Sequence, residues 1–307
     1  MAGPLVTIAI PTFNRGTTFL PSSLESACAQ TYKNLEILVS DNASPYDPAV
    51  DVAARRDARI RYHRHPINVG PVKNVQFCLE AARGEYLVIL PDDDLLDPDF
   101  VEACMRLASH NPRAGLIRTG VRIVDGDKER VWEIPNEAAG LSFDELVESW
   151  LSGRTSPYQC SILFRTEAIR RVGFKSRHYL YDDVFAFLKI AAEYGSADMR
   201  EVKSSFRLHA GELTAKADIR HWCEESMDLL DLMTELSPAN QRLIRSRGLT
   251  FLALGNYRRA LRKPFPQSLK ACWTVWKTHR YRLPPVSYVG MALCRRLRPA
   301  SAGERFS

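Results

Sequence analysis

Between residues 5 and 90 the chain alternates short apolar runs, rich in β-branched residues, with longer stretches of helical periodicity. Four runs read as strands: Leu5 to Ile10, Leu35 to Ser40, Ile60 to His63 and Tyr86 to Leu90. A run that stays apolar at successive positions suits a strand covered on both faces of a parallel sheet. Helical patterns follow, from about Thr17 to Gln30 and again through Lys73, Asn74 and Leu79. The alternation predicts a doubly wound α/β sheet whose loops gather on the edge where open sheets of this kind bind ligands.

Every strand ends in polar or turn-forming residues: Pro11-Thr12-Phe13-Asn14-Arg15, Asp41-Asn42-Ala43-Ser44, Asn68-Val69-Gly70 and Asp92-Asp93-Asp94. Three adjacent carboxylates at the mouth of a buried strand repel one another, and a hard divalent cation with oxygen ligands, Mg²⁺ or Mn²⁺ carrying phosphate, neutralises them. The residues also admit a second reading, in which Asp94 and Asp97 open a helix near Pro98 while Asp92 and Asp93 are solvated. Singly, Asn14 and Asn42 would serve turns, Asp41 would cap a helix, and Asn68 and Gly70 would shape a helix start. Lys73 suits a phosphate or open solvent equally. His63 and His65 share a strand face and read as surface histidines.

In the second half, Pro157 to Arg165 reads as a strand leading into a helix at Thr166. Tyr181-Asp182-Asp183 opens an amphipathic helix that carries Val184, Phe187, Leu188 and Ala191. Favourable interaction with the helix dipole is by itself a sufficient reason for two aspartates there. Arg207-Leu208-His209 follows a further strand.

Taken in order, strand-PTFNR, strand-SDNAS, Asn68-x-Gly70-x-x-x-Asn74 and GEYLVILPDDD resemble the inverting glycosyltransferases of family 2 over roughly residues 5 to 215. The resemblance implies a GT-A fold, a Rossmann-like and mostly parallel sheet flanked by helices, with a C-terminal helical extension. Residues 1–215 would be the catalytic domain, with a nucleotide-sugar half to about 112 and an acceptor half over 113–215; residues 216–307 would be a basic helical region. It also implies that Pro11, Thr12, Phe13, Asn14 and Asp41, with Asn68 and Asn74, hold a nucleotide-diphospho-sugar. Asp92 then lies nearer the nucleoside, and Asp93, Asp94 and His209 form the metal set. Imidazole suits Mn²⁺ better than Mg²⁺. Pro91 stands where many members have an acidic residue, which leaves the first role in that motif open among the carboxylates. Tyr181-Asp182-Asp183 is similar to the family's Glu-Asp motif, making Asp183 the general base and Asp182 its alternative. The implied acceptor is a hydroxyl of a glycan or lipid-linked glycan, in cell-surface polysaccharide or glycolipid assembly. A non-catalytic sugar-nucleotide or glycan-binding protein would keep the fold, but retention of both aspartate clusters argues against it. A nucleotidyltransferase would need a Gly-rich loop where Pro11 to Asn14 stands.

Composition adds a compartment and a surface. At 307 residues, 45% hydrophobic and 25% charged, the chain is long enough for a large core. Its seven cysteines are odd in number and form no CxxC, which fits reduced thiols in a cytoplasm. Neither a signal peptide nor an apolar run of membrane-spanning length is visible. Residues 241–307 hold fifteen Lys or Arg against one acid, Glu304; this segment is +14 on a chain of +6, so the first 240 residues are −8. Aromatic residues interleave those cations, among them Phe251, Tyr257, Phe265, Trp273, Trp276, Tyr281 and Tyr288. Two readings stand, a helical segment lying peripherally on the anionic inner face of a membrane and a helical cap on the acidic catalytic domain. No nucleic-acid reader motif accompanies the charge, and nucleic acid is not an expected partner.

Overall fold

The computed structural model describes residues 3–125, 130–209 and 217–279. In chain order they form β1 (Val6–Thr12), α1 (Leu20–Cys28), β2 (Leu35–Asp41), α2 (Ala49–Ala54), β3 (Ile60–Arg64), α3 (Pro71–Ala81), β4 (Tyr86–Ile89), β5 (Leu95–Leu96) and α4 (Phe100–His110). They continue as β6 (Leu116–Asp125), β7 (Arg130–Ile134), α5 (Phe143–Leu151), β8 (Ile162–Arg165), α6 (Thr166–Val172), α7 (Asp182–Tyr194), β9 (Ser196–Leu208), α8 (Ile219–Leu236), α9 (Gln241–Leu261) and α10 (Gln267–Thr278). The described residues gather into two compact units: one takes those of 1–140, 157–175 and 186–209, the other those of 141–156, 176–185 and 210–307. The second unit therefore draws two segments from within the stretch that precedes residue 215.

The first unit is built on one sheet, ordered β3-β2-β1-β4-β8-β6-β9-β5, with β7 added on β6. Strands β3, β2, β1 and β4 are parallel. Beyond β4 the sheet is mixed, because β8 runs antiparallel to both β4 and β6 while β6 and β9 are parallel. The parallel half is the part predicted from the continuous apolar runs, and β1, β2 and β4 are buried along almost their whole length. Val6, Ile8, Ile37, Val39 and Val88 pack with Leu20 and Leu24 of α1 and Phe100 of α4. Each such side chain contributes on the order of 2 kcal/mol of burial. The predicted helix from Thr17 to Gln30 is the shorter α1. The predicted strand from Pro157 is extended only from Ile162, Gln159–Ser161 being a 3₁₀ turn.

At the opposite end of the sheet from the candidate loops, a buried polar clamp joins three elements. Thr7 Oγ1 donates to Glu36 at 2.6 Å, Arg83 N–H donates to the same oxygen at 2.9 Å, and Arg61 pairs with the other oxygen. Burial alone would raise the Glu36 carboxyl, but Thr7, the Arg83 amide and Arg61 hold it below its ordinary value. Gly84 is required here: a Cβ would stand 2.5 Å from Thr7 N and 2.6 Å from Tyr86 O, both backbone atoms.

The described elements of the second unit are helical. Trp222 and Cys223 of α8, Ala253 and Tyr257 of α9, and Ala271 and Val275 of α10 share its core. The guanidinium of Arg259 lies 3.6 Å from the centre of the Trp222 ring. Helix α5 opens on a capping box, Ser142 accepting from Glu145 N–H and the Glu145 carboxylate accepting from Ser142 N–H. Among the described residues no helix is long and apolar enough to cross a membrane. Residues 280–307, with Tyr281, Tyr288 and the last six cations, lie outside the described residues.

Candidate active site

Strand register assembles the loops. Ala9 pairs with Ile89 and Thr12 pairs with Asp41, so three residues beyond the first pair Thr12 and Asp92 stand level, with Asp41 on the other side. Thr12 Oγ1 donates to Asp92 Oδ2 at 2.6 Å, and Phe13 N–H reaches the same oxygen at 3.4 Å. Burial pushes the Asp92 carboxyl up to about 7, the Asp93 charge adding to the rise and the Thr12 hydroxyl opposing it. Pro11 is the penultimate residue of β1, paired with Ser40, and the Phe13 ring is exposed.

Asp41 is fully buried at the end of β2. Its carboxylate accepts from the Ser44 hydroxyl and Ser44 N–H, and it pairs with Arg64 of β3 at 2.5 Å. Ser44 Oγ in turn accepts Asn14 N–H at 2.7 Å, which stitches the loop after β1 to the loop after β2. Both loops bend through the left-handed region, Asn14 at φ 55° and Ala43 at φ 57°; that conformation is common for Asn and unfavourable for Ala. Asn42 donates to Asn68 Oδ1 at 3.0 Å and accepts Val69 N–H at 2.8 Å, so the loop after β3 is tied to the same group. Gly70 follows at φ 86° and turns the chain into α3 at Pro71. Asn74 is buried, accepts the Ser40 hydroxyl at 2.6 Å and donates to Ser40 O at 3.0 Å, bonds that anchor α3 to β2. His63 and His65 are half-buried rather than on the surface: both rings pack on Phe77, and burial lowers the His63 pKa.

The three aspartates after β4 face different partners. Asp93 Oδ2 and His209 Nε2 are 2.8 Å apart. Asp94, nearly inaccessible, accepts Arg207 N–H of β9 at 2.9 Å, and burial with the Asp93 charge raises its carboxyl well above the ordinary range. It does not cap a helix, since α4 begins only at Phe100. Arg207 Nε donates to Asp93 O at 2.9 Å. The Phe19 ring supports this corner, with the His209 ring 4.5 Å away and the guanidinium groups of Arg207 and Arg15 at 5.1 and 5.2 Å. Phe19 and Arg64 escaped the sequence reading because their roles come from pairings far apart in the chain.

Mn²⁺ or Mg²⁺ fits this corner through the chemistry of its donors. Asp93 and His209 converge an oxygen and an imidazole nitrogen, a set that Mn²⁺ accepts. Among the described residues no three His, Cys, Asp or Glu side chains form a metal cage. Such an ion normally takes few protein ligands and completes its shell with phosphate oxygens and water.

Asp182 and Asp183 lie in the second unit, in the first turn of α7. Burial pushes Asp183 up to about 6, with the Asp182 charge adding to the rise; Val184 N–H opposes it. Burial also raises Asp182, which accepts Ser176 N–H at 2.6 Å. The approach to this turn is held by Glu225 of α8, a buried carboxylate that accepts the N–H groups of His178, Leu180 and Tyr181. Nothing local in the sequence marked Glu225, which lies inside a helix and acts more than forty residues away.

Two solved structures share the fold. TarS 1–349 of S. aureus in complex with UDP-GlcNAc superposes with a TM-score of 0.68 at 12% identity, covering 95% of this chain and 92% of that one. The mannosyltransferase PcManGT of Pyrobaculum calidifontis, in complex with GDP-Man and Mn²⁺, superposes with a TM-score of 0.59 at 17% identity, covering 96% and 81%. With these neighbours the mixed α/β sheet is a GT-A fold. Among curated relatives, the uncharacterised protein y4gI of Sinorhizobium fredii is 33% identical over 129 residues, 40% of this chain and 14% of its own length. An uncharacterised glycosyltransferase of Rickettsia typhi is 28% identical over 221 residues, 70% of this chain and 67% of its own. The chain thus spans as little as one seventh of the curated relatives it matches. The model of glycosyl transferase family 2 matches residues 7–173, more than half of the chain, and the chain belongs to that family.

Proposed function

We propose that this glycosyltransferase moves a sugar from a nucleotide-diphospho-sugar to a hydroxyl acceptor with inversion at the anomeric carbon. The observation that carries the reading is the junction of Thr12, Asp92, Asp93 and His209 at the carboxyl ends of the strands, where open α/β sheets take ligands. The loops that Asp41, Asn14, Asn42 and Asn68 tie together receive the nucleoside, with the exposed Phe13 ring available for stacking on the base. Asn74 serves the site from beneath, by holding α3. Asp93 and His209 hold Mn²⁺ or Mg²⁺, and Asp94 supports them by fixing β9. When bound, the ion acts as a Lewis acid toward the charge that develops on the departing nucleoside diphosphate. Asp183 takes the proton of the acceptor hydroxyl as the new glycosidic bond forms, and Asp182 helps to set its environment. No covalent enzyme intermediate is involved. The structural neighbours were crystallised with UDP-GlcNAc and with GDP-Man and Mn²⁺, which supports a nucleotide-sugar donor. The acceptor is a glycan or lipid-linked glycan of cell-surface polysaccharide or glycolipid assembly at the cytoplasmic face of the membrane.

The test is calorimetric titration with a panel of UDP-, GDP- and dTDP-sugars, with Mn²⁺ and with chelator. One donor should bind in Mn²⁺ and weaken about 10–100-fold in Asp93→Asn, whose fold should be unchanged by circular dichroism. Full donor affinity and turnover in chelator would remove Asp93 and His209 from the metal role.

A further inference from the structure

Helix α10 is apolar on two faces. Ala271, Cys272 and Val275 are buried in the second unit. Leu269 and Trp273, one turn apart on the other side, are 61% and 57% exposed. At the start of the helix, Ser268 N–H donates to Pro264 O and Leu269 N–H to Pro266 O, both at 3.1 Å. Phe265, in the turn just before the helix, is 79% exposed. At the other end the Trp276 ring meets that of Trp273 edge-on at 5.1 Å between centroids. A contiguous apolar stripe of this kind is a contact surface rather than ordinary exposure.

The charges around it identify what it contacts. Residues 241–279 hold nine Lys or Arg and no Asp or Glu. Arg262, Lys270 and Lys277 are exposed along the stripe. A second copy docked through the same face would bring like charges together, whereas an anionic surface with an apolar interior complements both features. Tryptophan, with its apolar ring and one N–H, suits the boundary between headgroups and acyl chains.

We propose that this face of α10 docks the chain on an anionic lipid leaflet. Phe265, Leu269 and Trp273 enter the acyl boundary, and Arg262, Lys270 and Lys277 meet the headgroups. Each cation near such a surface adds about five-fold to partitioning. The proposal rests on the second unit alone and survives any reassignment of the transferase residues.

The full chain is sedimented with phosphatidylcholine vesicles that contain or lack phosphatidylglycerol. Binding should be about ten-fold or more tighter with the anionic lipid and should weaken with salt. L269Q/W273Q should lose about ten-fold or more. K270E/K277E, two changes at exposed positions that leave the core untouched, should lose as much and show a weaker salt dependence. Equal partitioning to neutral and anionic vesicles, or unchanged binding in K270E/K277E, overturns the proposal. So does a dimer in size-exclusion chromatography that L269Q/W273Q splits while the wild type ignores vesicles, since a second copy would then cover the face.

Discussion

Asp183 shows how burial ties chemistry to stability at one residue. A carboxylate held up to about 6 is a stronger base than a solvated one and is still ionised at neutral pH. The same shift has a cost. The folded state binds the Asp183 proton more tightly than the unfolded chain does, so this residue favours folding most below its unfolded pKa. That contribution is lost as the pH rises through about 6. Asp183→Asn should therefore raise the unfolding free energy by about 1–2 kcal/mol above that pH, measured by denaturant titration. It should also lower kcat by about 10²–10⁴ with little change in donor affinity. The wild-type rate should rise with pH across the same limb. A variant that turns over normally would pass the base to Asp182.

At the scale of elements, residues far apart in the chain set the loops that carry the candidate groups. Glu225 illustrates this, since one carboxylate on α8 accepts three backbone N–H groups of residues 178–181 just before α7 begins. Glu225→Ala would leave those donors buried without their acceptor, at about 1–3 kcal/mol each. We expect a drop in Tm of several degrees and a loss of kcat, with donor titration by the first unit unaffected. Unchanged Tm would show that the loop is held by other contacts. These pairings also mark the boundary of what the sequence made legible. Strands β1, β2 and β4 could be read because burial on both faces leaves a local signature, and parallel register then places Thr12 beside Asp92. The Asp41–Arg64 pair, the Asp94–Arg207 bond and the packing of His63 on Phe77 could not, since each depends on which elements become neighbours. The mixed half of the sheet was hidden for the same reason: β8 is a short run whose direction only pairing decides.

For the whole molecule, the family and the GT-A fold were legible in four strand-end motifs in order, and the charge asymmetry singled out residues 241–307 as a basic segment. Its two-faced α10 is a three-dimensional fact that composition alone did not show. The central claim is transfer with inversion, made by a metal-assisted departure of the nucleoside diphosphate and a carboxylate base on the acceptor. Proton NMR of the first product formed from the donor that binds, recorded during turnover before any mutarotation, reads the anomeric configuration directly. An anomeric centre opposite to that of the donor is the predicted result; a first product with the donor's configuration would contradict the account.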